Sequence, residues 1–247
     1  MKALKFLAVA MLVGLASQTA FASIRDSDAK RAAELQDKIY HAKVFNHGQV
    51  QTTFKDGVAT LTGTVDNLGA KLDAEKAARK SPGVSQVINN IQVKAEDVSS
   101  QQILDQARHE ILTYYAYGIF DNINLEAQGN KLVVSGQVTQ PFKKSDIGNF
   151  LTRVRGVAKV ENDLEVLPVS NFDDRLRIQL ARAIYGDPFF VHYANRSLPP
   201  IHIIVKNGNV TLEGAVATKL DSAKAEMAAR TTGLSFSVVN NLRVDRG

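Results

Sequence analysis

The apolar positions of this chain follow two rhythms, and the pair recurs three times. The first rhythm is helical. Ala32, Leu35, Ile39 and Ala42 fall on one face of a 3.6-residue turn, as do Leu176, Leu180 and Ile184 further on. In the middle of the chain a helix is predicted from about Gln101 to Tyr117. The second rhythm is alternation. Strand-like segments are joined at Asp56-Gly57, Gly129-Asn130 and Asn207-Gly208, hairpin signals of the type in which central residues take positive φ. A second helical stripe follows each hairpin. It reads Ala74, Ala77, Ala78, Ser81, then Ile147, Phe150, Leu151, Val154, then Ala225, Ala228, Ala229, Thr232. The spacing i, i+3, i+4, i+7 is one face of a helix. Gly83, Gly156 and Gly233 are read as the C′ residues that end these helices. A last alternating strand closes each copy.

The copies stay in register. Gly63, Gly136 and Gly214 each stand between a branched apolar residue (Leu61, Val134, Leu212) and a valine (Val65, Val138, Val216), and are read as ending the hairpin's second strand through close backbone approach or a bulge. The closing strands read Val87-x-Asn89-x-Ile91-x-Val93, Val160-x-Asn162-x-Leu164-x-Val166 and Val238-x-Asn240-x-Leu242-x-Val244 at identical offsets. One supersecondary unit repeated at roughly 75-residue spacing is the signature of an array. A strand reached through a helical crossover pairs parallel with its predecessor. The predicted fold class is therefore α+β: three tandem αββαβ units, each a three-stranded mixed sheet with two helices on one face. The units are bounded at 28–95, 99–168 and 171–246. Units of roughly 70 residues bury thin cores, and the linkers are short, so neighbouring units are expected to touch.

Residues 1–22 read as a secretory signal. Lys2 and Lys5 precede an apolar run from Phe6 to Leu15, and Ala20-Phe21-Ala22 is a small-x-small site, with cleavage expected after Ala22. Periplasmic localisation follows from it. No other run is long enough for a transmembrane segment. The chain has no cysteine, which excludes disulfides and a lipoprotein anchor. Loss of the leader lowers the net charge from +5 to +3, too mild to imply nucleic acid.

The motifs VATLTGTV with GVSQVINNIQV, KLVVSGQV with GVAKVENDLEV, and NVTLEGAV with GLSFSVVNNLRV resemble the BON domain (bacterial OsmY and nodulation). In the third copy the helix-ending glycine comes one position early. The resemblance runs from about residue 28 to 246. It implies an envelope protein that binds phospholipid or another envelope surface, is often induced by osmotic or other stress, and has no common catalytic residues. Three copies depart from the usual two-domain exported members.

No residue set points to catalysis. His41, His47, His109, His192 and His202 lack metal-ligand spacing, no nucleophile elbow, P-loop or dinucleotide fingerprint occurs, and no cofactor is implied. Asn89, Asn162 and Asn240 are read as buried amides that satisfy backbone, with a ligand role as the alternative. Two stretches are candidates for a surface. Phe142, Lys143 and Lys144 open the middle unit's second helix, where aromatic and basic residues suit anionic headgroups. In the third unit the insertion VHYANRSLPP adds Tyr193 and Arg196. The expected function is a non-enzymatic module that attaches peripherally to anionic phospholipid or an envelope surface. The alternative is a protein-binding scaffold or chaperone-like stress protein whose partners are other envelope proteins.

Overall fold

The computed structural model describes residues 27–94 and 98–245, so the expected signal and cleavage site lie outside the described residues. The chain divides into two compact units, Met1–Glu96 and Asp97–Gly247. The first holds one copy of the repeat and the second holds two.

In the first copy α1 (27–41) leads through a 3-10 turn into β1 (Gly48–Lys55), β2 (Val58–Val65), α2 (Leu68–Arg79) and β3 (Gln86–Val93). The second runs α3 (Ser100–Leu112), β4 (Asn122–Gln128), β5 (Lys131–Val138), α4 (Pro141–Thr152) and β6 (Lys159–Val166). The third runs α5 (Asn171–Tyr185), α6 (Val191–Ala194), β7 (Ile201–Lys206), β8 (Asn209–Val216), α7 (Lys219–Thr231), β9 (Ser237–Asn240) and β10 (Arg243–Val244). In each copy the hairpin is antiparallel and the closing strand lies parallel to the hairpin's second strand, at the edge away from its first. The αββαβ reading holds, with one addition. The third copy's closing strand breaks into β9 and β10, both parallel to β8.

The residues that were periodic in sequence form the cores. Leu35 and Ile39 of α1 and Ala70, Ala74 and Ala78 of α2 pack with Leu61 and Ile91 of the sheet. Ile103, Ala107, Ile147 and Leu151 do so in the second copy, and Leu176, Leu180, Ala225 and Ala229 in the third. Each sheet thus buries one face beneath two helices.

Four local expectations are corrected. The middle copy's first helix stops at Leu112 rather than running to Tyr117; Tyr114 and Tyr117 lie in the turns beyond it. Gly83 and Gly156 are not C′ residues, since α2 and α4 are capped by Lys80 and Arg153, three residues earlier; only Gly233 directly follows its helix cap, Thr232. All three carry positive φ, so glycine is required by the turn that re-enters the sheet. Asp56-Gly57 and Asn207-Gly208 have positive φ at both positions, whereas in the middle hairpin only Gly129 does, the backbone pattern of a type II′ turn. The anchor glycines sit inside the strand rather than at its end. At Gly136 (φ +117°) an added Cβ would strike the Asn122 carbonyl oxygen of the paired strand. The ladder passes through this position without a bulge, so close backbone approach is the reason for glycine.

The second and third copies are joined. Ile203 N–H on β7 donates to the Ile119 carbonyl at 2.6 Å, Phe120 packs against the third copy's core, and Lys206 pairs with Glu165 at 2.5 Å.

Candidate functional surface

The three repeated asparagines perform one task. Each Nδ2 donates to the helix carbonyl eight residues after its anchor glycine: Asn89 to Lys71 (3.1 Å), Asn162 to Lys144 (2.8 Å) and Asn240 to Ser222 (3.1 Å). Each Oδ1 accepts from the backbone N–H two residues on, at Ile91, Leu164 and Leu242. The amide therefore clamps the crossover helix to the closing strand and satisfies backbone as it does so.

The sequence-selected Lys143 has a structural partner. Its Nζ donates to Asp121 Oδ2 at 2.7 Å and to Thr139 Oγ1 at 2.8 Å, and only 12% of its side chain is exposed. Asp121 is itself buried and also accepts from the Thr139 N–H, the Thr139 hydroxyl and the Gly118 N–H. A lysine in a helix's first turn opposes the dipole. Here a buried carboxylate offsets that cost.

Tyr193 is likewise not a surface residue. It is 2% exposed, donates from its hydroxyl to Asp221 Oδ2 at 2.9 Å, and accepts the Ala217 N–H at 2.6 Å. Burial raises its pKa above the ordinary tyrosine value. Asp221 stands seven residues after Gly214, as Lys143 does after Gly136. The same repeat position thus carries a cation in one copy and an anion in the next. In both, it ties the start of the crossover helix to the segment that leads into the first strand. The first copy makes this corner with His47, Asp66 and Asn67, joined by contacts of 2.8–3.1 Å.

What remains on the surface is Phe142 (47% exposed), Lys144 (half-buried) and Arg196, whose guanidinium lies 5.3 Å from the Tyr193 ring centroid. Phe142 and Lys144 belong to α4 over the second sheet, Arg196 to the segment after α6 over the third. Sequence reasoning passed over a larger aromatic exposure. Phe172 and Phe236 stack at 6.0 Å, with 77% of Phe236 exposed and Leu234 nearby in the chain also exposed. A solvent-facing phenylalanine between serines in Leu234-Ser235-Phe236-Ser237 was the available signal. Asp121, which has no counterpart in the repeat alignment, could not have been found from the motifs.

His202, unlike the other histidines, is buried and stacks on Tyr117 at 5.5 Å. Desolvation lowers its pKa below 6.5, against the opposing pull of the Asp121 and Gly118 carbonyls. Among the described residues, no group of three or more His, Asp or Glu could hold a metal, and no helix is long and apolar enough to cross a membrane.

The three copies share one αββαβ architecture, and the family profile that matches them, over residues 27–95, 115–168 and 192–246, is that of the BON domain. The chain belongs to the BON domain family. The family comprises non-catalytic binding modules, generally of phospholipid-binding envelope and stress proteins. In the second and third copies the matched segment begins after the first helix, whereas in the first copy it includes it. A search of curated proteins finds no match. Two solved structures of CdsD, a structural protein of the type III secretion system of Chlamydia trachomatis, are similar to this chain. One, of its C-terminal domain, has 15% identity and a TM-score of 0.26, covering 85% of this chain and 96% of that one. The other has 16% identity and a TM-score of 0.26, covering 86% and 92%.

Proposed function

We propose that this protein is a non-enzymatic binding module of the bacterial periplasm that attaches peripherally to anionic phospholipid at the envelope, in a stress-related role. The observation that carries the reading is the presence of three BON units in one chain. The exposed Phe142 beside Lys144 on α4 supports it, because an aromatic ring and a cation at one surface suit the headgroup boundary. Arg196 extends the basic character to the third unit. Lys143 is left out of the contact, since freeing it would strand the buried Asp121 carboxylate.

The test is flotation of the full chain with anionic and neutral liposomes at low and physiological salt. Wild type is expected to float with anionic vesicles and to lose binding as salt screens exposed charge within about 8 Å. Phe142→Ser with Lys144→Glu should weaken flotation while leaving the fold intact. Lys143→Glu is the wrong variant for this purpose, because it places a second carboxylate against Asp121. Binding by neither vesicle would favour the second reading, a scaffold for other envelope proteins. The stacked and exposed Phe172–Phe236 pair favours that reading, since contiguous exposed apolar groups mark interaction sites.

A further inference from the structure

A cavity of about 250 Å³ opens where the second and third copies meet, and polar groups from both line it. Tyr117 and Asn124 come from the second copy; His202, Glu213, Asn241 and Arg243 come from the third. The sheet places the charged pair. Glu213 faces His202 across the β7–β8 ladder, and Arg243 on β10 pairs with Ala215, two residues along β8 from Glu213. Glu213 and Arg243 are therefore diagonal neighbours on one sheet face, a separation of roughly 7–8 Å between Cα atoms. They do not pair with one another. Glu213 accepts from the Asn241 amide at 2.8 Å, and the Arg243 guanidinium has no hydrogen bond or ion pair among the described residues.

His202 on β7 also lines the cavity. The residue is 8% exposed, and its Nδ1 makes no hydrogen bond among the described residues. An orphaned buried polar atom costs about 1–3 kcal/mol and calls for an explanation. Burial pushes its pKa below the ordinary histidine value, against the opposing pull of the Asp121 and Gly118 carbonyls.

We propose that this junction binds a small zwitterion, with its ammonium group toward Glu213 and its anionic group toward Arg243. A lone anion would meet Glu213 and a lone cation would meet Arg243. Only a molecule carrying both charges a few bonds apart satisfies both, and Asn124 and Asn241 add amide donors and acceptors for either end. The volume lies below the roughly 300–1,000 Å³ of drug-sized pockets, which limits the ligand to the size of an amino acid. Two sources share this chemistry, a free amino acid and the headgroup of a zwitterionic lipid. The site exists only where two copies dock, so it does not depend on the α4 surface.

Calorimetric titration of the full chain tests the proposal with glycine and with O-phosphoethanolamine, and with methylamine and acetate as half-probes. Saturable binding of at least one zwitterion is expected, in the millimolar range or tighter. Each half-probe should bind about tenfold or more weakly. Glycine binding assigns the free amino acid, and binding of phosphoethanolamine alone assigns the headgroup. Arg243→Gln and Glu213→Gln, the latter retaining an acceptor for Asn241, should each weaken binding about tenfold or more with an unchanged circular-dichroism spectrum. No saturable binding by either zwitterion overturns the proposal. So does equal binding by the folded variants, or half-probe affinity equal to that of the zwitterions.

Discussion

The crossover helices of the outer copies and that of the middle copy hold the same place in the fold with opposite materials. In α2 and α7 the sheet-facing stripe is alanine, and the helix is tied down by polar contacts. Glu75 and Glu226 stand twelve residues after their anchor glycines, each accepting from the repeat asparagine and from an arginine four residues on. In α4 the stripe is Ile147, Phe150, Leu151 and Val154, and the position of the glutamate is Gly148. A Cβ at Gly148 would lie 2.7 Å from Asn162 Nδ2, so the glycine makes room for the clamp amide. Where bulk fills the helix–sheet gap, the charged triad is absent; where the stripe is thin, it is present. Side-chain volume and a polar clip are two ways to hold one helix on one sheet, and a repeat can drift between them without changing its backbone.

Truncation should separate the two most strongly. Leu151→Ala is expected to cost about 2–5 kcal/mol by emptying a fully buried site. The reverse change in the first copy, Ala78→Leu, should cost about 1–3 kcal/mol through overpacking. Urea melts of the full chain measure both, and a Leu151→Ala cost below that of Ala78→Leu would break the comparison. Gly136→Val should destabilise by about 3 kcal/mol, since φ is +117° and the new side chain meets the Asn122 carbonyl. Gly63→Val and Gly214→Val should behave alike, because all three copies share this constraint regardless of the helix above.

The asparagines sharpen the contrast at smaller magnitude. Asn240→Ala removes donors to Ser222 and Glu226 and an acceptor for Leu242, whereas Asn162→Ala removes only the links to Lys144 and Leu164. The outer-copy substitution should cost about 1–3 kcal/mol and the middle one about 1 kcal/mol, read from amide hydrogen exchange of the closing strand in the full chain.

The fold was legible because its determinants are local and repeated. The anchor glycines, the Asp-Gly and Asn-Gly turns and the two apolar periods each carry their own geometry, and three copies in register remove the ambiguity of one. The asparagine clamp was half legible: its alternation with apolar neighbours marks burial, but its helix partners lie eighteen residues away and carry no motif. The surface was misread at Lys143 and Tyr193 for one reason. A cation beside a phenylalanine and a tyrosine in a long insertion look solvent-facing until the third dimension supplies Asp121 and Asp221. The zwitterion-sized cavity was invisible, because its walls come from two copies and their docking is written in no repeat. The break between β9 and β10 at Asn241 and Leu242 has no signal that we can find in the sequence.

The finest test of the comparison is acid. The Glu75 carboxyl is held below its ordinary pKa of 4.5 first by the Asn89 hydrogen bond and then by Arg79; Glu226 is held down first by Arg230 and then by Asn240. A depressed folded-state pKa means that the unfolded chain binds more protons between the two values. The contribution is therefore complete above pH 4.5 and is lost as pH falls through the lower folded value. Both carboxylates are partly solvated, so the stability effect is small and best read at the site itself. Glu161 on β6 is also lowered, by Lys131, but that pair is exposed and does not touch the clamp. The side-chain amide resonances of Asn89 and Asn240 should consequently titrate with a midpoint below 4.5, while that of Asn162, which faces Gly148, should not. Glu75→Gln should abolish the transition at Asn89 and leave that at Asn240 intact. Equal titration of all three amides would mean that the middle copy senses acid through another carboxylate, and the division between bulk and clip would fail.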